Sequence, residues 1–539
     1  MCNMKMTGLE KYIETRLLFK LADTITVEKG DRIGIVGANG AGKSTLMRVL
    51  AGEEQPDKGT VERRGSLAVI QQLHETLQDI SPEMQKRWGV PTGSAQMSGG
   101  EQTRLKIAAA LEKHADVLLA DEPSSHLDLA GIEEVEKQLK SFPGSVLLIS
   151  HDRSLLDAVC TKILELEHGV LTLFKGNYSA YLAQKQLLAK QAQQEFENYE
   201  RERTHLERAI TAKKERAKGS ASKPKRLSHS ESKLGKVAAG SRQAKMEKTV
   251  KALESRLNQL EKKEKPRELD HVKFDIQNHT PMTGKYAISF TRVTKSIPGR
   301  ILYQSFSGII PPGAKVALVG GNGTGKSTLL NMIVNGEAGI SVSGSVKMGY
   351  FHQMLEILNP DKSILENIME DTKYTETFAR TILARLLFKR EDVYKTVSVL
   401  SGGERGKVAL TKVLLGDYNV LLLDEPTNYL DIQTRENLEE VLRNYPGTIL
   451  FATHDRSLMN RVSTHTLAIE KGGTVAFVEG NYNAYLASKE ATHQPDEETK
   501  LILERELNEI IGRLSMPTKK DNKEELEARY QAVLKRLKA

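Results

Sequence analysis

Two nine-residue stretches dominate the chain: GANGAGKST at 37–45 and GGNGTGKST at 320–328, each directly after an apolar run, Arg32 to Val36 and Lys315 to Val319. A glycine-rich turn between strand and helix lets successive backbone N–H groups surround phosphate oxygens, helped by the positive end of the helix. Three more motifs repeat in the same order: MSGGEQ at 97–102 with LSGGER at 400–405, VLLADEP at 117–123 with VLLLDEP at 420–426, and SHDRSLL at 150–156 with THDRSLM at 453–459. In both halves 24 residues separate the SGG serine from the DE glutamate, and 29 separate that glutamate from the histidine. The chain therefore reads as two copies of one α/β nucleotide domain, parallel sheets flanked by helices. From P-loop lysine to SGG serine the halves differ, 55 residues against 75, which predicts a helical subdomain trimmed in the first copy.

Charge distribution marks what lies between the copies. The whole chain of 539 residues carries only +8, but residues 184–268 hold 23 basic and 12 acidic residues, leaving the remainder at −3. Ala189, Ala192, Phe196, Tyr199, Leu206 and Ile210, and then Met246, Val250, Leu253, Leu257 and Leu260, follow helical spacing. Gly219, Pro224, Gly235 and Gly240 mark a reversal between them. An antiparallel helical hairpin is predicted, its first helix reaching roughly 55 Å at 1.5 Å per residue. Leu503, Leu507, Ile510 and Leu514, then Leu526, Tyr530, Val533 and Leu537, predict a C-terminal helical pair interrupted at Pro517. The expected domains are a first cassette at 1–183, short and without an inserted arm; a basic linker at 184–270; a second cassette at 271–492; and a helical extension at 493–539. No run approaches the roughly 18–20 apolar residues that span a bilayer, so a soluble, cytoplasmic protein is expected. Cys2 and Cys160 stand alone, which disfavours a disulfide framework or zinc site.

The motifs assign chemistry residue by residue. Gly37, Asn39, Gly40, Gly42 and Thr45, with Gly320, Asn322, Gly323, Gly325 and Thr328, belong to the phosphate-cradling turns. Lys43 and Lys326 are placed to reach the β- and γ-phosphates of ATP, and Ser44 and Ser327 to supply hydroxyls to Mg²⁺. Asp121 and Asp424 end apolar strands and can bind Mg²⁺ through water, while Glu122 and Glu425 are the candidate general bases. Gln72 and Gln353 fit a contact with Mg²⁺ and water, and His151 and His454 one with the γ-phosphate or the water. Tyr12 is a candidate to stack on adenine, with a core aromatic as the competing reading.

With SGGEQ and SGGER beside P-loop, DEP and histidine motifs, the sequence resembles the ATP-binding cassette superfamily. That resemblance implies a head-to-tail pairing in which one ATP lies between Lys43 and Ser401, Gly402 and Gly403, and the other faces Ser98, Gly99 and Gly100. Tandem cassettes with a basic hairpin between them, and EPSSHLD at 122–128 and EPTNYLD at 425–431, narrow the resemblance to the ABC-F ATPases. The missing arm, long linker and C-terminal extension resemble their antibiotic-resistance branch, the Vga/Vml type. The resemblance implies a protein that closes on two ATP, drives its linker through the tRNA exit site of the ribosome toward the peptidyl-transferase centre, and dislodges drugs from the large subunit. Its partners would be large-subunit rRNA and P-site tRNA, with no membrane subunit, and it would be monomeric off the ribosome.

From Arg208 to Lys245 there are 12 basic residues against Glu215 and Glu231, a density that suits phosphate contact. Lys213, Lys214, Arg216, Lys218, Lys223, Lys225, Arg226, Leu227, His229, Lys233, Lys236 and Arg242 are the candidate RNA contacts, and a solvated coiled coil is the alternative. No Phe, Tyr or Trp lies between Glu200 and Lys273, so the tip is expected to read backbone and shape rather than stack on bases. Three other functions compete: a housekeeping ABC-F factor rescuing stalled ribosomes, an ATPase subunit of a transporter, and a DNA-associated ATPase.

Overall fold

The computed structural model describes residues 2–71, 80–90, 97–220, 244–245, 247–263, 282, 284–352, 357–389, 391–428, 430–470, 472–515 and 523–538. It divides into two compact units, Met1–Phe174 with Val272–Ala539, and Lys175–His271. The first unit holds both nucleotide domains and the C-terminal helices; the second is the hairpin.

In the first cassette the strands β1 (Cys2–Ile13), β2 (Arg16–Lys20), β3 (Ile25–Glu28), β4 (Arg32–Gly37), β5 (Lys58–Arg63), β6 (Leu67–Ile70), β7 (Val117–Asp121), β8 (Ser145–Ile149), β9 (Lys162–Glu167) and β10 (Val170–Lys175) form one sheet. Its order is β3-β1-β2-β10-β9-β4-β8-β7-β6, with β5 paired to β1. The parallel part, β9-β4-β8-β7-β6, is covered on both faces, which is why its strands read as unbroken apolar runs: Leu118, Leu119 and Ala120 of β7 are fully buried. Helices α1 (Lys43–Ala51), α2 (Pro82–Trp88), α3 (Gly99–Glu112), α4 (Leu129–Ser141) and α5 (Arg153–Val159) complete it.

The hairpin comprises α6 (Tyr178–Ser220) and α7 (247–259). At 43 residues, α6 is about 64 Å long. Leu206 and Ile210 of α6 and Val250 of α7 are buried, and Lys214–Glu254, Arg256–Glu202 and Lys263–Glu195 pair the helices in antiparallel order at 2.7, 3.0 and 3.5 Å. The predicted reversal, with Lys223, Lys225, Arg226, Leu227, His229, Lys233, Lys236 and Arg242, lies outside the described residues.

The second cassette repeats the plan in two sheets. β12 (Arg300–Ile310), β11 (Ile288–Ile297) and β14 (Ile340–Val342) form one; β15 (Met348–Phe351), β16 (Val420–Asp424), β17 (Thr448–Ala452), β13 (Lys315–Val319), β18 (His465–Ile469) and β19 (Val475–Glu479) form the other, in those orders. Around them lie α8 (Lys326–Val334), α9 (Ile364–Met369), α10 (Glu376–Arg385), α11 (Gly402–Leu415), α12 (Ile432–Asn444) and α13 (Arg456–Val462). Helices α9 and α10 fill the stretch that is longer here, where the first cassette has α2 among its described residues. Then α14 (Tyr482–Ser515) and α15 (Lys523–Lys538) pack through Leu503, Ile510, Leu526 and Val533. The helix begins at Tyr482, so the extension grows directly out of a cassette helix. Among the described residues no helix is long and apolar enough to cross a membrane.

Both P-loop strands are tied to the same neighbour by a buried cation. Arg32 donates to Leu139 O at 3.0 Å and Gly144 O at 2.7 Å, at the end of α4. Lys315 does the same for α12, donating to Tyr445 O at 2.7 Å and to Gly447 O. Burial pulls the Lys315 ammonium down to about 8. We expect Lys315→Met to leave those carbonyls unsatisfied and cost about 2–4 kcal/mol, read as a lower urea midpoint, whereas Lys315→Arg, the first cassette's own solution, stays within about 1 kcal/mol of wild type.

Candidate active site

Each P-loop helix begins without a side-chain cap. Gly42 precedes α1 with φ 109° and Gly325 precedes α8 with φ 103°, a region open to glycine. A Cβ would meet Leu18 Cγ at 2.6 Å in the first case and the Tyr303 hydroxyl at 2.6 Å in the second. Side-chain caps are absent from both helices, which leaves their first N–H groups available to an anion. The SGG helices are the opposite. Ser98 with Glu101 closes α3 and Ser401 with Glu404 closes α11 in full capping boxes, each serine hydroxyl donating to its glutamate at 2.7 Å.

Lys43 Nζ donates to Gly37 O at 2.7 Å and Ala38 O at 3.1 Å. Lys326 Nζ donates to Gly320 O at 2.8 Å and Gly321 O at 3.2 Å, and lies 3.2 Å from His454 Nε2. Burial lowers the pKa of both lysines, opposed around Lys43 by Glu122, Asp431 and Asp121 and around Lys326 by Glu425, Asp424 and Asp128.

A cavity of about 1040 Å³ opens between the cassettes. Its wall includes Asn39, Gly40, Gly42, Lys43, Ser44 and Thr45 of the first P-loop and Ser401 and Gly403 of the second signature, the head-to-tail pairing that the resemblance implies. Ser98, Gly99 and Gly100 line it with Asn322, as do Asp121, Glu122, Glu425, His151 and His454. Gly37, Gly320, Gly323, Gly325, Lys326, Ser327, Thr328, Gly402 and Asp424 are not among the residues that line it. Gln72 and Gln353 lie outside the described residues; Gln71, which adjoins Gln72, lines a second cavity of about 130 Å³ with Asp121 and Glu122. Tyr12, the candidate to stack on adenine, is exposed, and its hydroxyl donates to Glu10 Oε2 at 3.1 Å, while its neighbour Ile13 lines the cavity.

Glu122 and Glu425 both have φ 50°, a left-handed backbone that side-chain-bearing residues rarely adopt and that clusters at functional sites. Each follows a strand-end aspartate, and its N–H donates back to the neighbouring strand, to Ile149 O and Ala452 O, at 2.9 Å. Burial pushes both glutamates up to about 7. It pushes the imidazoles down, His151 to about 3 and His454 to about 4. The histidines are therefore neutral at physiological pH, and the His151–Glu122 and His454–Glu425 contacts, at 3.6 and 3.5 Å, are not ion pairs. Glu122 Oε1, His151 Nδ1 and His454 Nδ1 are buried with no hydrogen-bond partner among the described residues, an expensive arrangement unless a ligand or water meets them. Ser44 hydrogen-bonds Asp121 and Ser327 hydrogen-bonds Asp424, and burial raises both aspartates. One hydroxyl and one carboxylate per site suit Mg²⁺, which takes its other ligands from phosphates and water; bound there, it would neutralise charge on the β- and γ-phosphates.

Contacts between the cassettes involve residues that motif reading missed. Asn39 N–H donates to Asp431 Oδ2 at 3.3 Å, and Asn322 N–H to Asp128 Oδ2 at 3.2 Å, so the aspartate ending SSHLD or TNYLD touches the other cassette's P-loop. The arginine of each HDRS motif crosses likewise. Arg153 pairs with Glu436 at 3.3 Å and with Glu439, and Arg456 with Glu133 at 3.1 Å and Glu136 at 3.3 Å. The repeat of HLD, YLD and HDRS was the available signal; which residues they meet was not.

A general base must be deprotonated, so activity needs the acid form of Glu122 and Glu425 to be lost. We expect kcat/KM for ATP to rise as pH passes through about 7, with His151 and His454 neutral throughout and adding no second limb there. A profile flat between about pH 6 and 8 contradicts the assignment.

Comparison with known proteins fits this geometry. Family models described as ABC transporter match residues 22–88, 68–125 and 303–428, and a companion model of the same description matches 164–274. The ribosome protection protein VmlR of Bacillus subtilis (strain 168) is 32% identical over 547 residues, covering 99% of this chain and 97% of its own. The energy-dependent translational throttle protein EttA of Escherichia coli (strain K12) is 31% identical, covering 86% of this chain and 91% of its own. Among solved structures, the archaeal ribosome recycling factor aABCE1, crystallised with ribosomal stalk protein aP1, superposes with TM-score 0.61 at 20% identity over 89% of this chain and 92% of its own, a likeness of fold. Tandem P-loop, signature and DEP motifs, cross-cassette sites and a relative matched end to end lead to one conclusion: the chain is an ATPase of the ABC-F family, in its Vga/Vml branch.

Proposed function

We propose that the protein is a ribosome-protection ATPase. It closes on two ATP, each held between one cassette's P-loop and the other's signature, and thereby sets the basic hairpin in the tRNA exit site, pointing toward the peptidyl-transferase centre, where it displaces antibiotics from the large subunit. The observation that carries the reading is the likeness to VmlR over 99% of the chain, hairpin included. Charge supports it: Lys214 is paired with Glu254, but among the described residues Lys213 and Arg216 form no ion pair, and most of the predicted basic contacts follow in the stretch after Arg216. Lys218 and its successors would meet phosphates, lowering affinity as salt rises. Glu122 and Glu425 would take a proton from the attacking water, with Lys43, Lys326, Ser44 and Ser327 holding the triphosphate and its Mg²⁺. ATP bound between cassettes favours the closed arrangement because only that arrangement supplies both walls of the site.

The likeness to EttA favours a second reading, a translation factor that works without drug. One experiment separates them. The Glu122→Gln/Glu425→Gln chain, which should bind ATP without turning it over, is sedimented with ribosomes in ATP, and growth of cells carrying wild type is measured with lincosamide, pleuromutilin and streptogramin A. We expect co-sedimentation that weakens with salt and a raised inhibitory concentration for at least one class, both lost on deleting residues 219–240 while basal ATP hydrolysis stays. Ribosome binding with no change toward any drug supports the translation factor; copurification with a membrane permease, or duplex DNA outcompeting ribosomes, contradicts both.

A further inference from the structure

The two aspartates that reach the opposite P-loops are held differently. Both oxygens of Asp128 are engaged. Oδ2 accepts from Asn322 N–H of the second P-loop at 3.2 Å, while Oδ1 accepts from Gly131 N–H at 3.1 Å, capping α4, and from the Arg104 guanidinium at 3.3 Å. Arg104 lies on α3, the signature helix that Ser98 caps. The same stretch meets Asn322 a second time: its side-chain amide donates to His126 O at 3.0 Å. A Cβ on the signature glycine Gly100 would meet that carbonyl at 2.9 Å and Asn322 Nδ2 at 3.6 Å. Signature, Asp128 and opposite P-loop thus share one network, in which Arg104 ties the aspartate back to the signature's own helix.

In the second cassette Lys407 answers Arg104, each six residues after its signature serine. Among the described residues its ammonium donates to Thr434 Oγ1 at 3.4 Å and forms no ion pair with Asp431. Asp431 accepts from Thr434 N–H at 2.8 Å and from Asn39 N–H at 3.3 Å. A guanidinium is a rigid fork that fixes a carboxylate, whereas an ammonium is a point charge on a flexible stem. Geometry fixed before the nucleotide arrives need not be bought from its binding energy. We propose that Arg104 is a positioning residue for the Lys326/Glu425 site: by fixing Asp128 it sets the first cassette's signature in register with the second cassette's P-loop. This site therefore closes on ATP more readily than the Lys43/Glu122 site, where Lys407 takes that place. The proposal rests on the head-to-tail pairing and on Glu122 and Glu425 as the two bases, and on nothing about the ribosome.

The test follows the first turnover by rapid quench as ATP is titrated, in full-length chains that keep one base. Glu122→Gln reports the Lys326 site and Glu425→Gln the Lys43 site. We expect half-saturation at a lower ATP concentration for the Lys326 site. The Arg104 and Asp128 side chains are 27% and 15% exposed, so their pairing is partly screened, and Arg104→Ala should raise that concentration about threefold to fivefold while the maximal rate falls by less than about twofold. The same substitution should move the Lys43 site by less than about 1.5-fold, which also shows that the variant is folded. Arg104→Lys should recover part of the loss. In an Asp128→Asn background Arg104→Ala should add nothing, because the two then act through one contact. Equal half-saturation at the two sites at the outset overturns the proposal. So does an Arg104→Ala effect that is absent, that is shared by both sites, or that persists in full beside Asp128→Asn. The Glu122→Gln/Glu425→Gln chain checks the bases separately: turnover there removes the base assignment and the proposal with it.

Discussion

Everything in the nucleotide sites depends on contacts that one cassette cannot make alone. The backbone N–H of Asn39 or Asn322 in each P-loop meets an aspartate of the opposite cassette, and the HDRS arginines reach across to glutamates on α12 and α4. Arg153 and Glu439 are both buried, and a buried ion pair compensates for its desolvation only when both partners are in place. The interface is therefore sensitive to small displacements. An ATP at the same seam would add phosphate and Mg²⁺ contacts to a surface already matched in charge, and lose them when hydrolysed.

The division of labour between helix ends follows from capping. Signature helices α3 and α11 satisfy their own first turns through Ser98/Glu101 and Ser401/Glu404, whereas P-loop helices α1 and α8 leave theirs open behind Gly42 and Gly325. An open end attracts phosphate; a closed end offers a hydroxyl whose present partner, a glutamate, must yield if the serine is to turn toward ATP. The glutamates at the strand ends carry the remaining tension, combining a left-handed backbone with burial that holds each near neutrality.

Much of this was legible from sequence because it is local. The apolar runs before each P-loop became β4 and β13 within a residue, the serine–glutamate spacing of the signatures is itself a capping box, and the heptad-like rows around Leu206 and Val250 pack as an antiparallel pair. What was not legible is non-local or hangs on one residue of register. The register shift at Lys11/Tyr12, beside the cavity-lining Ile13, is signalled by no composition. Gln71 and Gln72 are indistinguishable by spacing. The partners of Arg153, Arg456 and Asp128 lie some 200 to 320 positions away.

The hairpin is a separate compact unit. In the function we propose, closure of the cassettes on ATP is the step from which any action on a partner follows. It is read most directly as a distance, by electron–electron resonance between a spin label at exposed Glu62 in the first cassette and another at exposed Lys389 in the second, in the Glu122→Gln/Glu425→Gln background. Addition of ATP and Mg²⁺ should collapse a broad distribution to one short, narrow peak that disappears when the nucleotide is removed; an unchanged distribution with and without ATP would contradict the account.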